Sequence, residues 1–106
     1  NSTQLQLLAH QIYPNPATEK ASIRFRHNRP QENLIAIWTI FSPTGQVLFS
    51  EEKRFIQALE IIEEWDWIFL QHKTKYPAKG TYIYKLTLRS ETTSEVDSVS
   101  GKLVIQ

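Results

Sequence analysis

The 106-residue chain contains no cysteine, no methionine, three glycines and two aspartates. Without cysteine it can hold no disulfide, no thiolate nucleophile and no cysteine-ligated zinc. Three glycines are too few for a glycine-rich phosphate loop, and neither a Gly-x-Ser-x-Gly elbow nor a His-Glu-x-x-His helix motif is present. Two aspartates cannot supply a calcium loop of alternating Asp and Asn. The sequence therefore predicts no catalytic, cofactor-binding or metal-binding residues.

The charge is nearly balanced, with 12 Lys and Arg against 11 Asp and Glu, for a net charge of +1. No overall field draws the chain to nucleic acid or to anionic lipid, so neither is expected as a partner. The longest apolar run, residues 34–38, is far shorter than the ~20 residues of a membrane-spanning helix, and direct membrane insertion is not expected. Because the chain opens at Asn1 and lacks methionine, we expect a single domain over residues 1–106, excised from a longer protein whose export signal lies upstream.

Alternation of apolar and polar side chains predicts β-strands along most of the chain. Ala21, Ile23 and Phe25 alternate with polar neighbours, which predicts a strand with one buried face and one wet face. Residues 34–41 are apolar or aromatic on both faces except at Thr39. This predicts a central strand that is covered on both sides or packed beneath a neighbouring element.

A turn and a region with two overlapping patterns follow. Ser-Pro-Thr-Gly at residues 42–45 predicts a turn, because proline presets φ and glycine tolerates positive φ. Residues 47–49 are then predicted to form the strand that pairs with residues 34–41. Residues 51–67 combine near-helical spacing with strand-like composition, and we interpret them as strand.

The last third of the chain holds the strongest strand pattern. In residues 80–89 one predicted face carries Tyr82, Tyr84, Leu86 and Leu88. Residues 90–98 are predicted to form a polar hairpin loop, and residues 99–106 a final strand with Leu103 and Ile105 on one face. Six or seven short strands separated by turn signals indicate an all-β fold, an immunoglobulin-like antiparallel β-sandwich of about seven strands.

Two groups of side chains could suggest binding chemistry. His10, His27 and His72 are far apart and lack partners at metal-ligand spacing, so surface or strand-end roles are expected. A basic stripe on and just after the strand predicted around Phe25 could contact an acidic partner or phosphate or, with nearby aromatics, single-stranded nucleic acid. A solvated strand face is the favoured interpretation of its four residues, Arg24, Arg26, His27 and Arg29.

The sequence Trp65-Asp66-Trp67 has two interpretations. In the favoured one, the tryptophans anchor a strand end while Asp66 accepts backbone hydrogen bonds in an Asx-type turn. In the other, the tryptophans form an exposed aromatic patch that, with Trp38, would make a carbohydrate-binding or adhesive module.

Five features, in chain order, resemble the C-terminal sorting domain of the Por (type IX) secretion system. They are Tyr-Pro-Asn-Pro at residues 13–16, Gly45 before Val47 and Leu48, Trp65 with Asp66, Gly80 with Tyr82 and Tyr84, and Lys-Leu-Val-Ile at residues 102–105. His-Asn-Arg-Pro at residues 27–30 and the strand sequence at residues 82–90 resemble, more narrowly, the domain of the system's own PorU-type gingipain-like sortase. One departure is Trp67, which stands where the family usually has glycine. Residues 68–79 also lack glycine, so the role of that loop is not carried over.

The resemblance implies a non-catalytic sorting or anchoring domain of a larger parent, most closely the cell-surface sortase, whose catalytic Cys and His would lie upstream. The implied partners are the translocon, the outer-membrane shuttle barrel and upstream domains of the same parent chain. The implied location is the periplasm in transit and then the outer-membrane cell surface. An alternative parent is a secreted cargo protein from which the domain is cleaved.

The candidate partner-binding residues lie in the last two predicted strands: Gly80, Tyr82, Lys102, Leu103, Val104 and Ile105. A terminal strand at a sandwich edge offers unpaired N–H and C=O groups for strand addition or edge docking. Lys102 would supply charge, and its three neighbours apolar contact. The alternative is that residues 99–106 form only a paired core strand.

Overall fold

Seven β-strands and no helix are found in residues 4–68 and 78–106, which are the residues that the computed structural model describes. The strands are β1 (Leu7–Tyr13), β2 (Lys20–His27), β3 (Leu34–Phe41), β4 (Val47–Phe55), β5 (Ile61–Ile68), β6 (Gly80–Ser90) and β7 (Val96–Ile105). They form two antiparallel sheets, one ordered β1-β2-β5 and the other β4-β3-β6-β7.

This order is that of an immunoglobulin-like sandwich. In immunoglobulin lettering the three-stranded sheet is A-B-E and the four-stranded sheet is C′-C-F-G, because the fourth strand pairs with the third. The predicted fold class is therefore confirmed.

The β2 strand shows how the alternation sets the core. Ala21, Ile23 and Phe25 are buried, while Arg24 faces solvent, as predicted. Ser22 departs from the pattern, because it is fully buried and its hydroxyl donates a hydrogen bond to the Asp66 carboxylate on β5.

The β3 strand is central, flanked by β4 and β6. Its inward residues are fully buried, among them Trp38 at 0 % exposure. Its outward residues are not covered by another layer of the described chain, and Ile37 is 36 % exposed. The predicted central position is confirmed, but the predicted covering of the second face is wrong for residues 4–68 and 78–106.

The region that was ambiguous in sequence forms two strands. β4 and β5 are separated by a turn at residues 56–60, in which Gln57 has a φ of 51°. The predicted turn at residues 42–45 also forms, since the Gly45 N–H donates to the Ser42 carbonyl at 2.9 Å and Gly45 has a φ of 92°.

The hairpin of β6 and β7 is longer than predicted. The four predicted inward residues of β6 are all buried. The loop, however, covers only residues 91–95, because the Ser90 N–H bonds to the Glu95 carbonyl at 2.9 Å and β7 starts at Val96. The start of β7 carries few apolar side chains, so its alternation pattern is weak and the sequence predicts a loop there.

Aromatic side chains fill the side of the sandwich between β4 and β5. Trp38 and Trp65 pack edge-to-face at 5.6 Å, and Phe49 stacks on Trp67 at 5.2 Å between ring centroids. The Trp65 Nε1–H donates to Glu51, while Lys53 lies 5.3 Å from the centre of the Trp65 ring. These contacts join the two sheets where no backbone ladder does.

Candidate partner-binding surface at the terminal strand

The first and last motifs of the series, at residues 13–16 and 102–105, contact each other through Asn15. The Asn15 side chain accepts a hydrogen bond from the Val104 N–H at 2.9 Å, and its amide donates to the Lys102 carbonyl at 3.1 Å. Asn15 is therefore a clamp between the Tyr-Pro-Asn-Pro segment and β7.

Backbone bonds extend this contact by two residues. The Ala17 N–H donates to the Val104 carbonyl at 2.8 Å, and the Gln106 N–H donates to the Ala17 carbonyl at 2.9 Å. Ala17 is fully buried and forms a parallel bridge with Ile105. We call the area made by residues 13–16, Lys102 and Val104 the terminal-strand surface.

The six predicted partner-binding residues divide between this surface and the core. Leu103 and Ile105 are 0 % and 2 % exposed, and Tyr82 is 4 % exposed with its hydroxyl donating to the Ala78 carbonyl at 2.5 Å. Lys102 is exposed and Val104 is half-buried. Gly80 starts β6 with a φ of 155°. Only the last three can meet a partner without unfolding, and a binding role for any of the six stays a prediction.

Tyr84 bridges the gap between the two edge strands β1 and β7. Its ring lies over Gly101, where an added Cβ would come within 2.6 Å of ring atoms. The Tyr84 hydroxyl and His10 Nδ1 are hydrogen-bonded at 2.6 Å, which joins β6 to β1. Burial raises the pKa of the Tyr84 hydroxyl.

The outer edge of β7 is thus occupied at both ends. At its start the Leu7 N–H donates to the Asp97 carboxylate at 2.8 Å, and at its end both backbone groups of Val104 are bonded to residues 15 and 17. Strand addition at Val104 would have to break these bonds. Docking through the outward side chains would leave them intact.

The predicted basic stripe is divided by the fold. The side chains of Arg24 and Arg26 point outward and line a groove of about 370 Å³. His27 is instead fully buried at the end of β2, and Arg29 forms ion pairs with Glu32 and Glu95. A continuous basic face for nucleic acid does not form.

The predicted histidine roles hold only in part. His27 lies at a strand end, as predicted, but inside the protein. His10 lies within β1, half-buried against Tyr84, so neither a surface nor a strand-end role describes it. His72 and most of the 68–79 loop lie outside the described residues.

The aromatic-patch alternative is contradicted. Trp38, Trp65 and Trp67 are 0 %, 1 % and 2 % exposed, so no indole face is available for stacking on a sugar ring. The predicted anchoring role of Trp65 and Trp67 is confirmed, since both indoles are buried. The predicted Asx-type turn is wrong, because Asp66 lies within β5, where it accepts from Ser22 and lies 3.8 Å from the Lys20 ammonium.

The described parts of the chain hold no group of three His, Cys, Asp or Glu side chains close enough to bind a metal ion. They also hold no helix of the length and hydropathy needed to cross a membrane.

Comparison with known proteins places the fold. A crystal structure of dimeric latent PorU from Porphyromonas gingivalis is similar over 91 % of this chain, with a TM-score of 0.71 and 24 % sequence identity. The β-glucuronidase of Parabacteroides merdae is similar over 96 % of this chain, with a TM-score of 0.68 and 8 % identity.

The chain spans only 9 % of that PorU chain and 14 % of the glucuronidase chain. No protein-family model and no curated protein sequence matches it. At these identities the likeness shows a shared sandwich fold.

Sequence reasoning missed the Asn15 clamp and the packing of Tyr84 on Gly101. A signal for the first was an asparagine held between two prolines, Pro14 and Pro16. A signal for the second was a lone glycine inside a strand pattern, which often marks a close approach.

Proposed function

We propose that the chain is a non-catalytic sorting or anchoring domain of a type IX secretion protein, most closely that of the cell-surface sortase. In this role it is recognised by the translocon and the outer-membrane shuttle barrel, first in the periplasm and then at the cell surface. The motif series of that family and the fold likeness to a segment of PorU both support the proposal.

One observation carries the proposal. The first and last motifs of the series are 89 residues apart in sequence, yet Asn15 and Val104 are directly hydrogen-bonded. A receptor could therefore contact both motifs at the terminal-strand surface. Lys102 and Val104 offer it a charge and an apolar side chain, while Leu103 and Ile105 hold the strand in place from the core.

The test uses the full-length parent in its own bacterium, with Lys102→Glu and Val104→Asp introduced together. Both side chains face outward, so the fold should persist, which thermal unfolding of the 106-residue domain checks. We expect the parent to accumulate in the periplasm, as measured by its resistance to protease added to intact cells. The matched control is Arg24→Glu, an exposed charge reversal on the other sheet.

Normal surface delivery of the folded double variant would refute recognition through this surface. The form of the parent protein found at the cell surface also distinguishes a sortase from a cargo protein. A sortase is expected to retain residues 1–106 at the surface, whereas a cargo protein is expected to lose them on processing, and mass spectrometry of the surface form distinguishes these outcomes.

A further inference from the structure

An apolar row crosses the outer face of the four-stranded sheet. Phe41 on β3 is in register with Val47 on β4 and with Ile83 on β6, and Ile83 is in register with Lys102 on β7. Val47 is 58 % exposed and Ile83 is 41 % exposed. We call Val47, Phe41 and Ile83 the outer row. At the usual strand spacing, the outer row together with Lys102 spans about 14 Å.

Two lysines flank Ile83 on this face. Lys102 lies directly opposite it on β7, and Lys85 follows it by two positions on β6, which places both ammonium groups on the same side of the sheet. Neither lysine forms an ion pair within the described residues. Elsewhere in the described chain, the half-buried Lys20 pairs with Asp66.

The outer row is continuous with the terminal-strand surface. Lys102 belongs to the surface and ends the row, and Val104 is in register with Thr81, two residues before Ile83 on the same strand. A protein that docks on Lys102 and Val104 would therefore also reach Ile83. This continuity and the uncompensated lysines indicate the chemistry of the occupant.

We propose that the outer row and its two lysines form the main contact area for the shuttle barrel, on which an exposed apolar segment bordered by carboxylates docks. The inference rests on the proposed function and adds to it the surface and the chemistry of the partner. Apolar contact at Ile83 supplies the centre of the interface, and Lys85 and Lys102 pair with acidic groups at its rim.

The experiment measures binding of the 106-residue chain to the purified shuttle barrel of the same bacterium in detergent, at low and at high salt. The variants are Ile83→Asp, Val104→Asp, the pair Lys85→Glu with Lys102→Glu, and the matched control Arg24→Glu. Each is first checked for native thermal unfolding and for its oligomeric state by sedimentation.

We expect Ile83→Asp to raise Kd by tenfold or more, as loss of an apolar centre does. The lysine pair should weaken binding at low salt and remove most of its salt dependence, since the screened charges are then absent. Arg24→Glu should bind as the unaltered chain does.

Native affinity of the folded Ile83→Asp variant would overturn the inference, and would leave the proposed function standing if Val104→Asp still abolished binding. Failure of the unaltered chain to bind the barrel would count against the proposed function itself. Sedimentation of the unaltered chain as a dimer that Ile83→Asp dissociates would show a second copy on the outer row, and that too would overturn the inference.

Discussion

Gly101 is the residue that lets Tyr84 cross from one sheet to the other. Its lack of a side chain leaves room for the Tyr84 ring, which then reaches His10 on β1. Gly101→Ala places a methyl group within 2.6 Å of that ring, so the ring must move and the hydrogen bond to His10 must lengthen or break.

We therefore expect Gly101→Ala to lower the free energy of unfolding by about 1–3 kcal/mol, the range typical of overpacking. Urea denaturation measures it. The control is Ser100→Ala on the solvent-facing side of the same strand, which should change stability by less than about 0.5 kcal/mol. Equal effects of the two substitutions would contradict the packing role of Gly101.

His27 makes the stability of the domain depend on pH. Its Nε2 lies 2.6 Å from the Leu59 carbonyl oxygen and must donate, while its Nδ1 accepts from the Arg29 N–H at 3.0 Å. The neutral ring satisfies both bonds, and a second proton on Nδ1 would face the Arg29 N–H. Burial accordingly lowers the pKa of His27 below 6.5, outweighing the opposite effects of the Leu59 carbonyl, Glu60 and Glu32.

Because the folded pKa is below the unfolded one, the unfolded chain binds the proton more readily as the pH falls below about 6.5. We expect the free energy of unfolding to decrease through this window, by at most about 1.4 kcal/mol per pH unit. Urea denaturation at about pH 7.5 and about pH 5.5 measures the decrease. His27→Gln should remove it and His10→Gln should not. An equal slope in native and His27→Gln protein would disprove the assignment.

At the scale of single elements, β7 carries core side chains on one face and solvent-facing side chains on the other. Leu103 and Ile105 point into the core, while Lys102 and Val104 point toward the terminal-strand surface. Removing the strand to test recognition would thus remove core packing as well.

Deletion of residues 102–106 is expected to unfold the domain. Loss of a buried aliphatic side chain costs about 2–5 kcal/mol, and two such losses approach the total stability of about 5–15 kcal/mol of a small domain. Circular dichroism of the truncated chain tests this, with full-length Lys102→Glu as the folded control. A truncated chain with native thermal unfolding would mean that β7 contributes little to the core.

The elements differ in how far the sequence could predict them. The β2 and β6 strands follow from alternation because each has one face in the core and one in water. The pattern predicts a loop at the start of β7 because Asp97 and Ser98 occupy an edge strand, where polar residues are tolerated. The Asn15 clamp and the Ser22–Asp66 bond join segments distant in sequence, and no periodic pattern records such side-chain pairs.

At the scale of the molecule, the two sides of the sandwich are closed in different ways. Aromatic rings close the side between β4 and β5, with Trp38 from one sheet packed on Trp65 from the other. Polar contacts of His10 and Asn15 close the side between β1 and β7. The tryptophans therefore report on whether the two sheets stay together.

We expect tryptophan emission and far-ultraviolet circular dichroism to change together on thermal unfolding, as a single cooperative transition. Emission of the folded protein should be blue-shifted, weakly quenched by acrylamide and unchanged by a panel of glycans, because all three indoles are buried. Separate transitions would show that the sheets unfold independently, and a glycan-induced shift would show an accessible indole.

The contact between residues 15–17 and β7 also determines how the domain would carry a mechanical load. Leu5 is bonded to Glu95 just before β7 begins, and Gln106 is bonded to Ala17 just after it ends, so these two points are separated by the length of a ten-residue strand, about 33 Å. A force that pulls Leu5 and Gln106 apart acts parallel to β7. It loads the hydrogen bonds of β7 to β6 and to Ala17 in shear, so many of them must rupture at once. A domain held by a partner at one end and by further chain at the other would therefore resist tension through many hydrogen bonds that share the load.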